Sequence, residues 1–254
     1  MISTAQASPE LPLRTPAQLL ASVAGRTAPP PALTGTVVET ASLGLPQLPG
    51  SGDPNSITTL LAGSHTIKVW YADSTHIRLA VPVTMSETDL IRNGRQVWVW
   101  QSSSNTATRM QLPAEGRPAA RHAAAGLPQP PLTPQQAASQ ALKAVGPSTR
   151  VSVQRNVTVA GQPAYQLVLS PRARGSLVGR IAIAIDATKN VALRVQVFAK
   201  GAASPAFQVG YTSISFVKPA AANFSFTPPA GAKVKVVSPA SDTSGRMSAK
   251  DKQA

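Results

Sequence analysis

The sequence predicts an α+β fold in which a large, mostly antiparallel sheet curls around two or more short helices. Three observations predict it. Apolar residues alternate with period two along most of the chain, only two segments carry matched helix signals, and just 4% of residues are aromatic, so the interior is lined mainly by Val, Leu, Ile and Ala. With 254 residues and 43% apolar content, the chain can bury a real core.

The first element is a helix. Thr15-Pro16-Ala17-Gln18 offers a Thr N-cap, Pro at the first helical position and Gln three residues after the cap, an arrangement that satisfies otherwise orphan N–H groups. Leu19, Leu20 and Val23 form its apolar stripe, and Gly25 stops it. Alternation then sets the strands. Ile67, Val69 and Tyr71 share one face, as do Ile77, Leu79 and Val81. In LIRNGRQVWVWQ, Asn93-Gly94 is expected to supply the positive φ values of a two-residue hairpin turn. Residues 113–132, PAEGRPAARHAAAGLPQPPL, read as a linker or surface excursion. Thr133-Pro134-Gln135-Gln136 repeats the helix start, with Ala138, Ala141, Leu142 and Val145 apolar and Gly146-Pro147 as the stop. More strands follow: Val151 to Val159, Tyr165-Leu167-Leu169, Ile181-Ile183-Ile185 and Val191-Leu193-Val195-Val197. Domain boundaries follow from these elements: a flexible segment at 1–14, one domain at 15–238, and a disordered tail at 239–254.

About eleven strands and two helices create a mismatch of areas. At about 4.8 Å between strands such a sheet is about 50 Å wide, whereas a helix is about 10 to 12 Å across. A flat sheet would leave Val, Ile and Leu side chains in water at about 25 cal/mol per Å², so the sheet must curl. With few rings to fill the middle, the curled sheet is expected to enclose an apolar hollow suited to acyl chains. The connection LGLPQLPGSGDPNSITTLL at 43–61 carries one charge, Asp53, and an unusual number of leucines. Either Leu43, Leu45, Leu48, Leu60 and Leu61 fold over the mouth of the hollow, or they form a satellite core beneath the loop. Trp98 and Trp100 stand opposite Val97 and Val99, so they are either plainly buried or a ligand wall. Together with Leu167 and Ile183, these are the candidate lipid-binding residues.

Charge narrows the partners. The net charge is +14, and residues 116–241 hold fourteen basic side chains against one acid, Asp186. Such asymmetry fits either an ordinary solvated surface or an anionic partner such as a membrane. Nucleic acid is not expected, because the basic residues neither cluster on a helix nor interleave with aromatics. There is no cysteine, which excludes disulfides and thiolate chemistry. His65, His76 and His122 have no metal-ligand spacing, Ser215 to Lys218 is an isolated S-x-x-K at a strand end, and Glu87 with Asp89 reads as a polar strand edge. Neither a cofactor nor an enzymatic activity is expected. The opening MISTAQASPELP places Ala5 and Ala7 in an A-x-A arrangement, which reads as the end of a signal peptide or the exit from an anchor and implies export.

The order of elements, with DLIRNGRQVWVWQSSSNTATRMQLP (89–113), VTVAGQPAYQLVLSP (157–171) and FSFTPPAGAKV (224–234), resembles the LolA/LolB lipoprotein-carrier superfamily, which includes the N-terminal domain of RseB (MucB). The resemblance spans roughly residues 15–237. It implies an unclosed β-barrel wrapped around helices, an apolar cavity for lipid or lipoprotein acyl chains, and work outside the cytoplasm in the cell envelope. The leading expectation is therefore a carrier. Its alternative is an RseB-like envelope-stress sensor that contacts an anti-sigma factor, and a third is an envelope scaffold with a filled interior. The carrier's early-strand arginine, tied to cargo release, has its nearest counterpart in Arg78, which otherwise reads as an exposed strand arginine.

Overall fold

The computed structural model describes residues 10–24, 29–42, 62–113 and 132–237. Helix α1 (Pro16–Ala24) precedes six strands, β1 (Leu33–Ser42), β2 (Ala62–Asp73), β3 (His76–Val83), β4 (Ser86–Asn93), β5 (Gln96–Gln101) and β6 (Thr106–Gln111). Helix α2 (Pro134–Lys143) precedes six more: β7 (Thr149–Val159), β8 (Gln162–Pro171), β9 (Val178–Asp186), β10 (Ala192–Ala199), β11 (Phe207–Ser215) and β12 (Lys233–Val237). All twelve join one mixed sheet in the order β12-β6-β5-β4-β3-β2-β1-β11-β10-β9-β8-β7. It is one strand larger than the alternation predicts. The two meanders meet where β1 pairs antiparallel with β11, β12 runs parallel to β6, and the sheet ends at β7 and β12 without closing.

Both helix starts form as the sequence predicts. Thr15 N–H donates to Gln18 Oε1 at 2.8 Å and Gln18 N–H to Thr15 Oγ1 at 3.2 Å, and Thr133 and Gln136 make the same reciprocal pair at 2.9 and 3.3 Å. Just ahead of α1, Leu11 is buried, Tyr165 O–H donates to Pro12 O at 2.8 Å, and Arg14 lies over the Tyr165 ring while its guanidinium donates to Asn190 at 3.0 Å. The segment entering α1 is thereby fixed to β8.

Hairpin chemistry differs from expectation in one place. The β4–β5 turn is centred on Gly94-Arg95, flanked by the paired Asn93 and Gln96, and positive φ falls on Gly94 (+61°) and not on Asn93. A positive φ at the first central residue alone is the pattern of a II′ turn, which glycine serves without steric cost.

One face of the sheet holds the helices. Leu19 and Val23 of α1 and Ala137 and Ala138 of α2 are buried against Val37, Ile67, Leu167, Ile183, Leu193 and Val209. Gly35 on β1 faces the same way, and any larger residue would force its neighbours to shift: a Cβ would lie 2.6 Å from Ser213 O and 2.8 Å from the Tyr211 ring. A bulge between Thr36 and Val37 in the β1–β11 ladder accompanies this close approach.

Candidate functional site

Cross-strand register assembles an apolar surface on the helix-bearing face of β2 to β6. Val69, Leu79, Leu90 and Val99 stand in one row, and Tyr71, Ile77, Arg92, Val97 and Met110 in the next. The helices lie to one side of it, with α2 against β10 and β11 and α1 against α2 and β7. Burial is uneven on this face. Val37, Ile67, Leu167, Ile183 and Val209 are sealed, and Val69, Val97, Val99 and Met110 are also buried, whereas Tyr71, Ile77, Leu79, Val81 and Leu90 between them are only half-buried. An incompletely covered strip of Leu, Ile, Val and Tyr beside a solid core offers hydrocarbon a surface at about 25 cal/mol per Å² removed from water.

The predicted site residues fall in three places. Leu43, Leu45, Leu48, Leu60 and Leu61 lie outside the described residues. Leu167 and Ile183 are direct cross-strand partners with 0% exposure. They belong to the filled core beside the helices and do not face the half-covered strip. Trp98 and Trp100 stand on the other, outer face of the sheet, where Phe226 sits 5.5 Å from one ring and 6.1 Å from the other and Arg109 lies over Trp98 at 6.0 Å.

These contacts show what the C-terminal motif does. After β11 the chain crosses the outer face of β3 to β5 as a strap. Phe224, 3% exposed, meets the His76 ring edge-on at 5.7 Å, and Phe226 covers the tryptophans. Asn105 then donates to Gly231 O at 3.0 Å, Gly231 turns with φ +78°, and β12 begins beside β6. In FSFTPPAGAKV the alternate phenylalanines anchor the strap and the glycine turns it into an edge strand. The tryptophans are the strap's seat, on the face opposite the half-covered strip.

The strap also borders a charge pair that the sequence reading placed at the surface. Arg78 donates to Asp89 Oδ2 at 2.6 Å, and its guanidinium lies over Trp70 at 5.2 Å. Asp89 is 3% exposed and sits on an interior strand, not on a polar edge. Arg78, with 28% of its side chain exposed, is likewise committed and not a free strand arginine. Burial pushes the Asp89 carboxyl above its ordinary value, and the Arg78 charge offsets this only in part. Asp89 Oδ1 and Arg78 Nε are buried without hydrogen-bond partners. Nearby, a hollow of about 310 Å³ opens on the outer face, with Thr34, Thr36, Lys68, Trp70, Ser213 and Ser215 around it. Asp73, at the β2–β3 turn, is held well below the usual carboxylate range by Thr75, which donates from both side chain and backbone, and by His76.

Among the described residues no group of three or more His, Asp or Glu side chains is placed to hold a metal ion, and no helix is long and apolar enough to cross a membrane. No family model matches the sequence, and no curated protein matches it. Several solved structures are similar. One is the Pseudomonas aeruginosa MucA/MucB complex, at 15% identity, covering 84% of this chain and 61% of that chain with a TM-score of 0.48. Another is MucB, at 17% identity, covering 87% and 64% with a TM-score of 0.46. A LolA superfamily protein from Nitrosomonas europaea is 10% identical, with 84% and 99% covered and a TM-score of 0.31. The chain thus spans less than two thirds of the length of the MucB chains it resembles.

Proposed function

We propose that this protein is an extracytoplasmic lipid- or lipoprotein-binding carrier whose residues 15–238 form a single domain, and that the acyl chain lies along the inner face of β2 to β4. One observation carries the reading: on the inner face of β2 to β4, to one side of the helices, Tyr71, Ile77, Leu79, Val81 and Leu90 are left half-buried between the sealed core and the buried Val97, Val99 and Met110. The motif FSFTPPAGAKV and the order of elements, which resemble the lipoprotein carriers, support it. The chain's own groups hold hydrocarbon by burial alone, and no covalent step or cofactor takes part.

Native mass spectrometry of protein purified from its own host tests this. A carrier retains lipid that organic solvent removes. A ligand-free protein that also fails to take up a fluorescent fatty acid overturns the reading and leaves an envelope scaffold. Pull-down on an anti-sigma ectodomain identifies the sensor alternative, in which the same surface detects lipid but the output is a protein contact.

A further inference from the structure

Five basic residues of the second half, Arg150, Arg172, Arg174, Arg180 and Lys200, gather at one corner of the sheet. Three features meet there: the start of β7, the β8–β9 connection at 172–177, and the β10–β11 connection at 200–206. Hydrogen bonds tie them together. Arg172 N–H donates to Ser148 O, Lys200 N–H to Leu177 O, and Lys200 Nζ to Arg174 O, each at 2.8 Å. Gly179 permits the close approach, since a Cβ there would lie 3.0 Å from Ala199 O. The corner is a built surface and not a set of independent side chains.

Arg150, Arg172, Arg174 and Lys200 are exposed at this corner, and Arg180 stacks its guanidinium 3.7 Å from the centre of the Phe198 ring. The single acid of residues 132–237 is Asp186. It lies at the far end of β9 and accepts from the N–H groups of Thr188 and Lys189. Among the described residues of β7 to β11 and their connections no acid stands at this corner, and the nearest acid on a neighbouring strand is Glu39 of β1, paired with Val209 two residues into β11. At its tip stands Leu177, 87% exposed.

We propose that this corner docks the protein on an anionic lipid surface, with the cations against the headgroups and Leu177 entering the headgroup–acyl boundary. Cations around an apolar tip are the chemistry of interfacial binding, where charge attraction and shallow apolar insertion act together. A single-stranded nucleic acid stacks its bases on open aromatic rings, whereas Phe198 is 7% exposed beneath Arg180, and a duplex would be held by phosphate contacts alone and would leave Leu177 without a role. The inference extends the carrier reading by naming its membrane-facing corner, yet it rests on the corner alone and not on the inner apolar strip.

Co-sedimentation tests it, using vesicles of phosphatidylcholine mixed with phosphatidylglycerol against vesicles of phosphatidylcholine alone. The protein binds the mixed vesicles and is released by salt. Each basic residue near an anionic surface strengthens binding about fivefold, so the triple variant Arg172→Ala, Arg174→Ala, Lys200→Ala weakens it about 100-fold. Leu177→Ser weakens binding while leaving its salt dependence in place. Thermal melts of these surface variants match the parent, and their uptake of a fluorescent fatty acid is unchanged, which separates docking from cargo binding. No preference for anionic vesicles overturns the proposal. So does binding that the triple variant leaves intact, equal affinity for heparin or DNA with no effect of Leu177→Ser, or a loss caused instead by Met85→Ser at the β3–β4 turn.

Discussion

Replacing Arg78 by Met strips the partner from a carboxylate that water hardly reaches. Asp89 is 3% exposed, its Oδ2 accepts from Arg78 at 2.6 Å, and its Oδ1 has no partner. Breaking a buried pair from one side costs about 3–5 kcal/mol, because the remaining charge is uncompensated. Methionine keeps the apolar part of the stem but not the guanidinium that lies over Trp70, so a cation–π contact of about 0.5–1 kcal/mol is lost together with the ion pair. The sign with pH follows from linkage. Without the guanidinium, burial raises the folded-state pKa of Asp89 further above its unfolded value of about 3.9. The folded state then holds the proton more tightly than the unfolded state, so the variant loses stability as pH rises through the folded pKa. Urea unfolding of Arg78→Met should therefore show a small deficit near pH ~4 that grows to the full amount by pH ~7. The double variant Arg78→Met, Asp89→Leu should recover most of it. A pH-independent deficit below about 1 kcal/mol would refute the reasoning, since it would mean that water solvates Asp89 beneath the strap.

Three further changes test other parts of the account. Phe226→Ala removes a half-buried ring from Trp98 and Trp100 and should cost about 2 kcal/mol, part of the 3–5 of a fully buried ring, with red-shifted tryptophan emission; unchanged emission would show that the strap does not seat there. Burial pushes the Tyr211 phenol from 10.0 up to about 12, so between these values the folded state keeps a proton the unfolded state loses, and stability falls with rising pH by about 3 kcal/mol. Tyr211→Phe should remove that fall, measured by denaturant titration at pH ~9 and ~12. Gly35→Ala forces a Cβ to 2.6 Å from Ser213 O and should destabilise by about 1–3 kcal/mol, read as a lower Tm; an unchanged Tm would contradict the close approach of β1 to β11.

Period-two alternation made most strands legible, and the Thr-Pro-x-Gln starts made both helices legible, because each signal is local. What escaped was non-local. Trp98 and Trp100 alternate with Val97 and Val99, so the strand is apolar on both faces, and nothing within it tells which face meets the helices and which a strap from 126 residues later, the Asn105 to Gly231 separation. Asp89 and Arg78 read as surface charges because their burial depends on diagonal neighbours across β3 and β4, a register closed by a turn with no glycine and with positive φ at Met85. The extra strand, β12, pairs parallel with β6, a contact that no hairpin signal announces. For the proposed site, alternation does not separate the candidates: Leu167 and Ile183 have the same pattern as Leu79 and Leu90, yet the first two are sealed in the core and the last two are half-buried.

Titration of a fluorescent fatty acid into the parent protein and the Leu79→Ser, Leu90→Ser variant reads the acyl site directly. Each half-buried leucine should contribute about 1 kcal/mol of apolar contact, so saturable binding to the parent should weaken about 30-fold in the variant with little change in Tm. Equal binding by both proteins, or no binding by a parent from which host lipid has been extracted, would contradict the placement of hydrocarbon on the inner face of β2 to β4.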